Sequence, residues 1–479
     1  MISSNYGRLK RLFNNTLLFA LGQFGSTFVS FLLVPLYTNY LTTAEYGKAD
    51  LVINLTNLLL PLITICITDG VMKFSLDGDH SINQVFTCSF SICLIGFVSS
   101  ILLFKIIYDY GKVSEYIILF YLILFSRIFY NLVLSYIKSL QKLKLYAIIA
   151  IINTVIACVS NIVLLMLVHA GVNGYLTAYV IANTVSIIIA SISIRVWKYI
   201  KPGYYSNSTL REMSTFSAPL IPNNISNWAM NSMDKYMITY MYDVSYNGVY
   251  SVAHKFPSII SMLSAVFNQA WNYSALEEQK NKDYQNYYRQ VFLLYSSYMF
   301  ILASMIMCVI RPIVITWVGT EFSDAWQYTP YLFISTIFSC LTGFYVPLFV
   351  IAKKTSSLFI STVAGAVVNL VLNMILIPIW GINGASFATV ISYLTVWIIR
   401  GELINKYIRV ELDKWKAYVN GILLLAQGTI LICVDKYYIL FQLLFLIIIL
   451  AFNKKQIYGI ILIIRKIINR KNLEENKND

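Results

Sequence analysis

The sequence predicts an all-α polytopic membrane protein. Three observations carry that reading. Hydrophobic residues make up 58% of the 479-residue chain and charged residues only 12%, with a mean hydropathy of +0.67. A soluble domain carries about 25% charged residues. The apolar residues fall in long runs rather than in alternation, which suits spanning helices and excludes a β-barrel. Lys and Arg are concentrated in every second connecting segment.

Fourteen spans are placed in order, near 12–36, 48–71, 84–107, 116–138, 145–168, 173–197, 214–242, 247–273, 288–311, 327–351, 356–378, 383–404, 416–433 and 437–452. The run at 12–36 is too long for the apolar core of a signal peptide and lacks a small-residue cleavage site, so it is read as a first span. Prolines 35, 61, 219, 222, 257 and 347 fall within spans, where each bends the helix and frees a carbonyl. The final run is short, and 456–468 reads as an interfacial helix. With the N-terminus inside, the cytoplasmic segments hold about 28 Lys and Arg and the outer loops 5, a positive-inside asymmetry. Both termini are therefore expected in the cytoplasm. The net charge of +14 is a topology signal and gives no reason to expect a nucleic-acid partner.

The chain repeats itself. GVNGYLTAYVI at 171–181 matches GINGASFATVI at 381–391, and each opens a span, the sixth and the twelfth. Six is even, so both halves insert with the same orientation, a parallel repeat about an axis along the membrane normal. The expected organisation is an N-terminal six-helix lobe at 1–197 and a cytoplasmic linker at 198–213. A C-terminal six-helix lobe follows at 214–404, then two extra helices and a basic tail at 405–479.

Polar residues stand where a membrane span should be apolar. In the seventh span Asn224, Asn227, Asn231 and Asp234 step by 3, 4 and 3, which places them on one helical face, with Lys235 beside them. In the eighth, His254, Ser258, Ser261, Ala265, Asn268 and Asn272 step by 4, 3, 4, 3 and 4, with Lys255 alongside. Asp50, Asn54 and Asn57 open the same spacing on the second span. An ionisable group at the bilayer centre costs at least ~2.5–3.5 kcal/mol on insertion scales, so such stripes belong in a bundle interior or a wet cavity. Asn and Ser also serve as interhelical glue, and that alternative stays open here. Arg127 lies deep in the fourth span. A guanidinium there is either a structural group paired with a carboxylate or backbone carbonyls or, in a dry-walled cavity, a bidentate phosphate ligand, while Lys235 and Lys255 add point charges. Three cations favour an anionic cargo. Asp234 is the candidate for cation coupling, or else the counter-ion of Lys235.

Other chemistries are not indicated. No G-x-x-x-x-G-K-[ST] loop occurs, so no nucleotide hydrolysis is expected. The seven Cys lie mostly inside apolar runs without a C-x-x-C, and the three His are scattered, so no disulfide framework, metal site or cofactor is expected. No loop is long enough for a catalytic domain, and the chain is not expected to be an enzyme.

The runs PLYTNYLTTAEYGKADLVINLTNLLLPL (35–62), PLIPNNISNWAMNSMDKYMI (219–238), NGVYSVAHKFPSI (247–259) and IPIWGINGA (377–385) together resemble one family. It is the polysaccharide-exporting branch of the MOP exporter superfamily, the O-antigen, capsule and exopolysaccharide repeat-unit flippases, similar in plan to MATE antiporters. The family's usual Asp-Arg pair in span seven is Asp234-Lys235 here. The resemblance implies alternating access by two lobes in the bacterial cytoplasmic (inner) membrane. The implied cargo is an undecaprenyl-pyrophosphate-linked oligosaccharide carried to the outer leaflet. The implied partners are that lipid, membrane lipids, the polymerase and other glycan-assembly proteins. The candidate cavity residues under this reading are Arg127, Lys235, Lys255, Asn224, Asn227, Asn231, Asn54, Asn57, Ser258, Ser261 and Asn268. The alternative is a MATE-type cation-coupled multidrug antiporter, which should have a more acidic cavity.

Overall fold

The computed structural model describes residues 28–78, 80–110, 113–281, 283–408 and 412–458. Among them there are helices and turns and no strand. Eight helices are long and apolar enough to cross a membrane, or nine when a bent pair is taken as one span. The expected spans at 84–107, 116–138, 145–168, 173–197, 288–311, 327–351 and 416–433 each fall on one of these. Those at 356–378 and 383–404 share one. The start of the first span and the basic tail beyond residue 458 lie outside the described residues.

The second span is a bent pair. Thr43–Ile63 starts at a capping box: Thr42 Oγ1 accepts from the Glu45 amide at 3.3 Å, and the Thr42 amide donates to Glu45 Oε2 at 2.9 Å. It ends where Ile65 and Cys66 take left-handed backbone angles (φ 52° and 53°), and Ile67–Asp77 continues at 45°. Pro61, with no amide hydrogen, marks the approach to this break. The eighth span is interrupted as well. Val244–Ala253 stops at a turn over residues 254–257, where Pro257 stands before Ser258–Glu278.

Packing divides the chain into two compact units. One holds the described residues up to Lys255 with Val318–Ser323 and Asn369–Ala385; the other holds Phe256–Trp317, Asp324–Val368 and the rest from Ser386. In the first unit, Ile117–Ser139 packs against Gly171–Ile194, and the latter against Leu143–Ile162. Phe120, Leu124, Ile128, Leu132 and Tyr136 step by four and are buried, a continuous face at helical period. Tyr136 closes it, with its ring 3.8 Å from that of Phe86 and its hydroxyl donating to the Phe86 carbonyl at 2.8 Å.

The G-x-N-G repeat has a backbone reason in both copies. Gly171 and Gly381 both take positive φ (53° and 61°), which a side chain disfavours. At Gly381 the ψ of −140° interrupts the 50-residue run Ser356–Asn405, which is therefore two helices, as the sequence predicts. The second glycine of each copy sits where a helix doubles back. A Cβ at Gly174 would lie 2.9 Å from the Ala170 Cβ, and one at Gly384 would lie 2.1 Å from the Leu376 carbonyl oxygen.

In the second unit, Trp271 on Ser258–Glu278 donates to the Phe344 carbonyl at 2.9 Å and stacks on the Phe344 ring at 4.4 Å. The two C-terminal helices, Lys414–Cys433 and Tyr438–Phe452, pack on Tyr284–Trp317. Buried amides tie all three. Gln427 Nε2 donates to Gln442 Oε1 at 3.0 Å, Gln442 Nε2 returns to the Gln427 carbonyl at 3.0 Å, and Ser304 donates to Gln427 Oε1 at 2.8 Å. Asn420 and Asn453 exchange a second reciprocal pair at 3.2 and 2.8 Å. In lipid, where apolar burial gives little drive for helix association, such bonds fix register.

Candidate functional site

The polar faces of the second and seventh spans meet inside the first unit. Asp50, two turns into Thr43–Ile63, is the centre. Its carboxylate takes Lys235 Nζ of Ile221–Met241 at 3.1 and 3.2 Å, Asn54 Nδ2 at 2.8 Å and Ser251 Oγ at 2.8 Å. The Lys235 and Asp50 side chains are only 10% and 14% exposed, so this is an interior ion pair whose charges are met by hydrogen bonds. Around it, Ser232 donates to Asn54 Oδ1 at 2.9 Å. Trp228 Nε1 donates to the Asn54 carbonyl at 2.9 Å, and the Tyr236 hydroxyl to the Leu51 carbonyl at 2.9 Å.

Asp234 is fully buried beside this cluster but faces the other way. It accepts from the Tyr250 hydroxyl at 2.6 Å and from the Lys235 amide at 2.9 Å. The ammonium of Lys235 thus pairs with Asp50, 185 residues away in sequence, and Asp234 pairs with a phenol.

Close backbone contact makes the cluster geometrically possible. A Cβ on Gly47 would lie 2.1 Å from the Val244 carbonyl oxygen, and one on Gly248 would lie 2.0 Å from that of Thr43. Two facing glycines let Thr43–Ile63 and Val244–Ala253 touch main chain to main chain. Asn247 Nδ2 donates across this contact to the Gly47 carbonyl at 3.1 Å. Asp243 caps Val244–Ala253, and its bonds to the Ser245 hydroxyl and amide hold its carboxyl below the usual range.

Away from that contact the polar face opens. Asn227 and Asn231 are exposed, with Asn231 Nδ2 on the Asn227 carbonyl at 2.7 Å, and Asn57 and Asn224 are half-buried. Asn224 Nδ2 reaches Cys66 Sγ at 3.2 Å, at the bend of the second span. One face therefore runs from a closed ionic end to an exposed amide end.

The remaining candidates are placed elsewhere. Arg127 is half-buried on Ile117–Ser139, with Tyr130 and Tyr179 in its neighbourhood. Among the described residues no hydrogen bond or ion pair joins it to the Asp50–Lys235 cluster. Lys255 is half-buried in the turn after Val244–Ala253 and closes the first unit. Ser258, Ser261 and Asn268 belong to the second unit, where Ser261 is exposed and Asn268 Nδ2 donates to Ser264 Oγ at 3.2 Å. The expected stripe of the eighth span is thus shared between the two units.

Sequence reading missed several participants. Asp50 was visible as part of a stripe but not as the counter-ion of Lys235. Ser232, Tyr236, Tyr250 and Ser251 had no distinguishing signal beyond polarity in an apolar run. Arg400 counts in the sequence as an ordinary cytoplasmic charge. It is buried in the second unit, donating to Ser361 Oγ at 3.0 Å, the Thr342 carbonyl at 3.0 Å and Thr362 Oγ1 at 3.1 Å.

A bundle of broken membrane helices carrying an internal ion pair defines a membrane transport fold. The chain belongs to the polysaccharide biosynthesis protein family, whose pattern it matches over residues 12–272, more than half its length. It is 24% identical over 341 residues to a protein of the Lsg locus of Haemophilus influenzae, covering 69% of this chain and 82% of that one. In fold it is similar to the lipid II flippase MurJ in an inward closed conformation. That likeness has a TM-score of 0.67 at 14% identity and covers 93% of this chain and 100% of MurJ. It is also similar to an outward-facing multidrug resistance MATE transporter of the MOP superfamily, with a TM-score of 0.57 at 13% identity over 82% of this chain and 96% of that one. These likenesses show that the chain shares the fold of a lipid II flippase and of MATE transporters, the fold expected from its sequence.

Proposed function

We propose that the protein is a flippase for a polyprenyl-pyrophosphate-linked oligosaccharide, moving it from the cytoplasmic to the outer leaflet by alternating access. Membership of the polysaccharide biosynthesis family supports the cargo class. The observation that carries the mechanism is the single polar face of the second and seventh spans. It is latched at one end by Asp50–Lys235 and offers Asn227, Asn231 and Asn57 at the other. Amides are donors and acceptors for sugar hydroxyls, and Arg127 and Lys255 are the proposed pyrophosphate partners. Asp234, bonded to Tyr250, is the proposed coupling group. The two six-helix halves at 1–197 and 214–404 are the proposed lobes, and the doubled G-x-N-G geometry supports that repeat. The proposed setting is the cytoplasmic membrane with both termini inside, beside a polymerase that consumes the product.

Two experiments address this. In a host lacking its own repeat-unit flippase, expression of the protein with the matching glycosyltransferases should return glycan to the cell surface and leave cationic dye accumulation unchanged. A drop in dye without surface glycan would favour the drug-antiporter alternative. For topology, reporter fusions at Asn247, Thr320 and Lys436 should read as outside, and those at Lys142, Ser206 and Lys353 as cytoplasmic. Two or more inverted readings would break the two-lobe proposal.

A further inference from the structure

The turn between the fourth and fifth spans builds a basic cleft that the transport reading does not use. Ile117–Ser139 ends in a Schellman-like cap: Gln141 takes a left-handed φ of 56°, and the Lys142 amide donates back to the Ile137 carbonyl at 3.1 Å. Leu143–Ile162 then begins at once. The abrupt reversal brings Lys138, Lys142 and Lys144 round one opening of about 720 Å³, together with Gln141. Its other wall is Met72 and Leu76 of Ile67–Asp77, both about half exposed. Lys138 is held in place, its ammonium 4.5 Å from the centre of the Tyr146 ring. No carboxylate lines the cleft among the described residues; Asp69, close enough to feel the Lys138 charge, lies outside the lining.

We propose that this cleft binds the phosphate headgroup of an anionic membrane phospholipid, with its acyl chains along Met72 and Leu76. Charge complementarity selects the ligand class. Three ammonium groups suit a phosphodiester, and the exposed aliphatic wall suits the glycerol and first methylenes. One Gln is the only amide in the lining, too few donors and acceptors for an oligosaccharide. The ligand is therefore a resident lipid rather than the sugar-bearing cargo, and the site stands whether or not the flippase reading does.

The test is native mass spectrometry of the full chain in detergent, titrated with phosphatidylglycerol, phosphatidylcholine or inorganic phosphate. Phosphatidylglycerol should bind and phosphatidylcholine should not compete. Each Lys→Gln change at 138, 142 or 144 should weaken binding about fivefold, and the triple change about a hundredfold. The triple Lys→Arg variant should bind as the wild type does, which separates lost charge from lost fold. Equal phosphatidylglycerol retention by the triple Gln variant would overturn the site. Displacement by inorganic phosphate at the lipid's own concentration would overturn the lipid as its ligand. Absence of cargo transport by the wild-type protein, with its lipid binding intact, would count against the flippase reading alone.

Discussion

Lys235→Met should reduce glycan export at least tenfold and destabilise the protein by about 3–5 kcal/mol, the usual consequence of stranding one partner of a buried pair. Asp50 would keep Asn54 and Ser251 as donors but lose its only counter-ion among the described residues. Asp50→Leu should do similar damage by leaving the Lys235 ammonium without an acceptor. The double variant is the informative one. It removes both charges together, so much of the lost thermal stability should return while export stays low, because the ionic latch is absent. Recovery of both stability and export would make the pair a packing tie only. Lys235→Arg, which keeps the charge but not the shape, should fall between.

Gly248→Val should be comparably severe for a different reason. Even a bare Cβ would stand 2.0 Å from the Thr43 carbonyl oxygen, and the obstacle is main chain, which cannot rotate away. Thr43–Ile63 and Val244–Ala253 would have to separate by about an ångström or more. Overpacking of this kind typically costs about 1–3 kcal/mol, and here it also removes the Asn247 bond to the Gly47 carbonyl. Thermal unfolding should show Gly47→Ala and Gly248→Ala each destabilising, Gly248→Val more so, and the double Ala variant less than the sum, because one separation relieves both clashes. By contrast, Gly203→Ala, with open space around its Cβ, should change neither stability nor export. Equal tolerance at Gly203 and Gly248 would show that the close helix contact is dispensable.

Most of the spans and the polar stripes were legible because both are written in local periodicity. Asn224, Asn227, Asn231 and Asp234 announce a shared face by their spacing alone. What that face meets is a long-range property. The Lys235–Asp50 pair joins residues 185 apart, and the neighbour in sequence, Asp234, was the misleading candidate for counter-ion. The helix breaks were half legible. Pro257 and Gly381 signal theirs, since one lacks an amide hydrogen and the other tolerates φ of 61°. The left-handed Ile65 and Cys66 do not, because a β-branched residue with positive φ runs against propensity and is imposed by packing. The docking of the last two helices rests on Gln427 and Gln442, a tertiary pairing that local periodicity does not show.

The central claim, movement of a lipid-linked glycan along a face latched by Asp50–Lys235, is tested most directly in reconstituted vesicles. Purified protein is placed in liposomes containing a polyprenyl-pyrophosphate oligosaccharide, and the fraction of head groups open to an added impermeant glycosidase is followed over time. The account predicts that nearly all head groups become accessible with the wild-type protein, while only the outer-leaflet half does with Lys235→Met or with empty vesicles. Accessibility that stays at the outer-leaflet half with the wild-type protein, or that rises equally with the Lys235→Met variant, would contradict it.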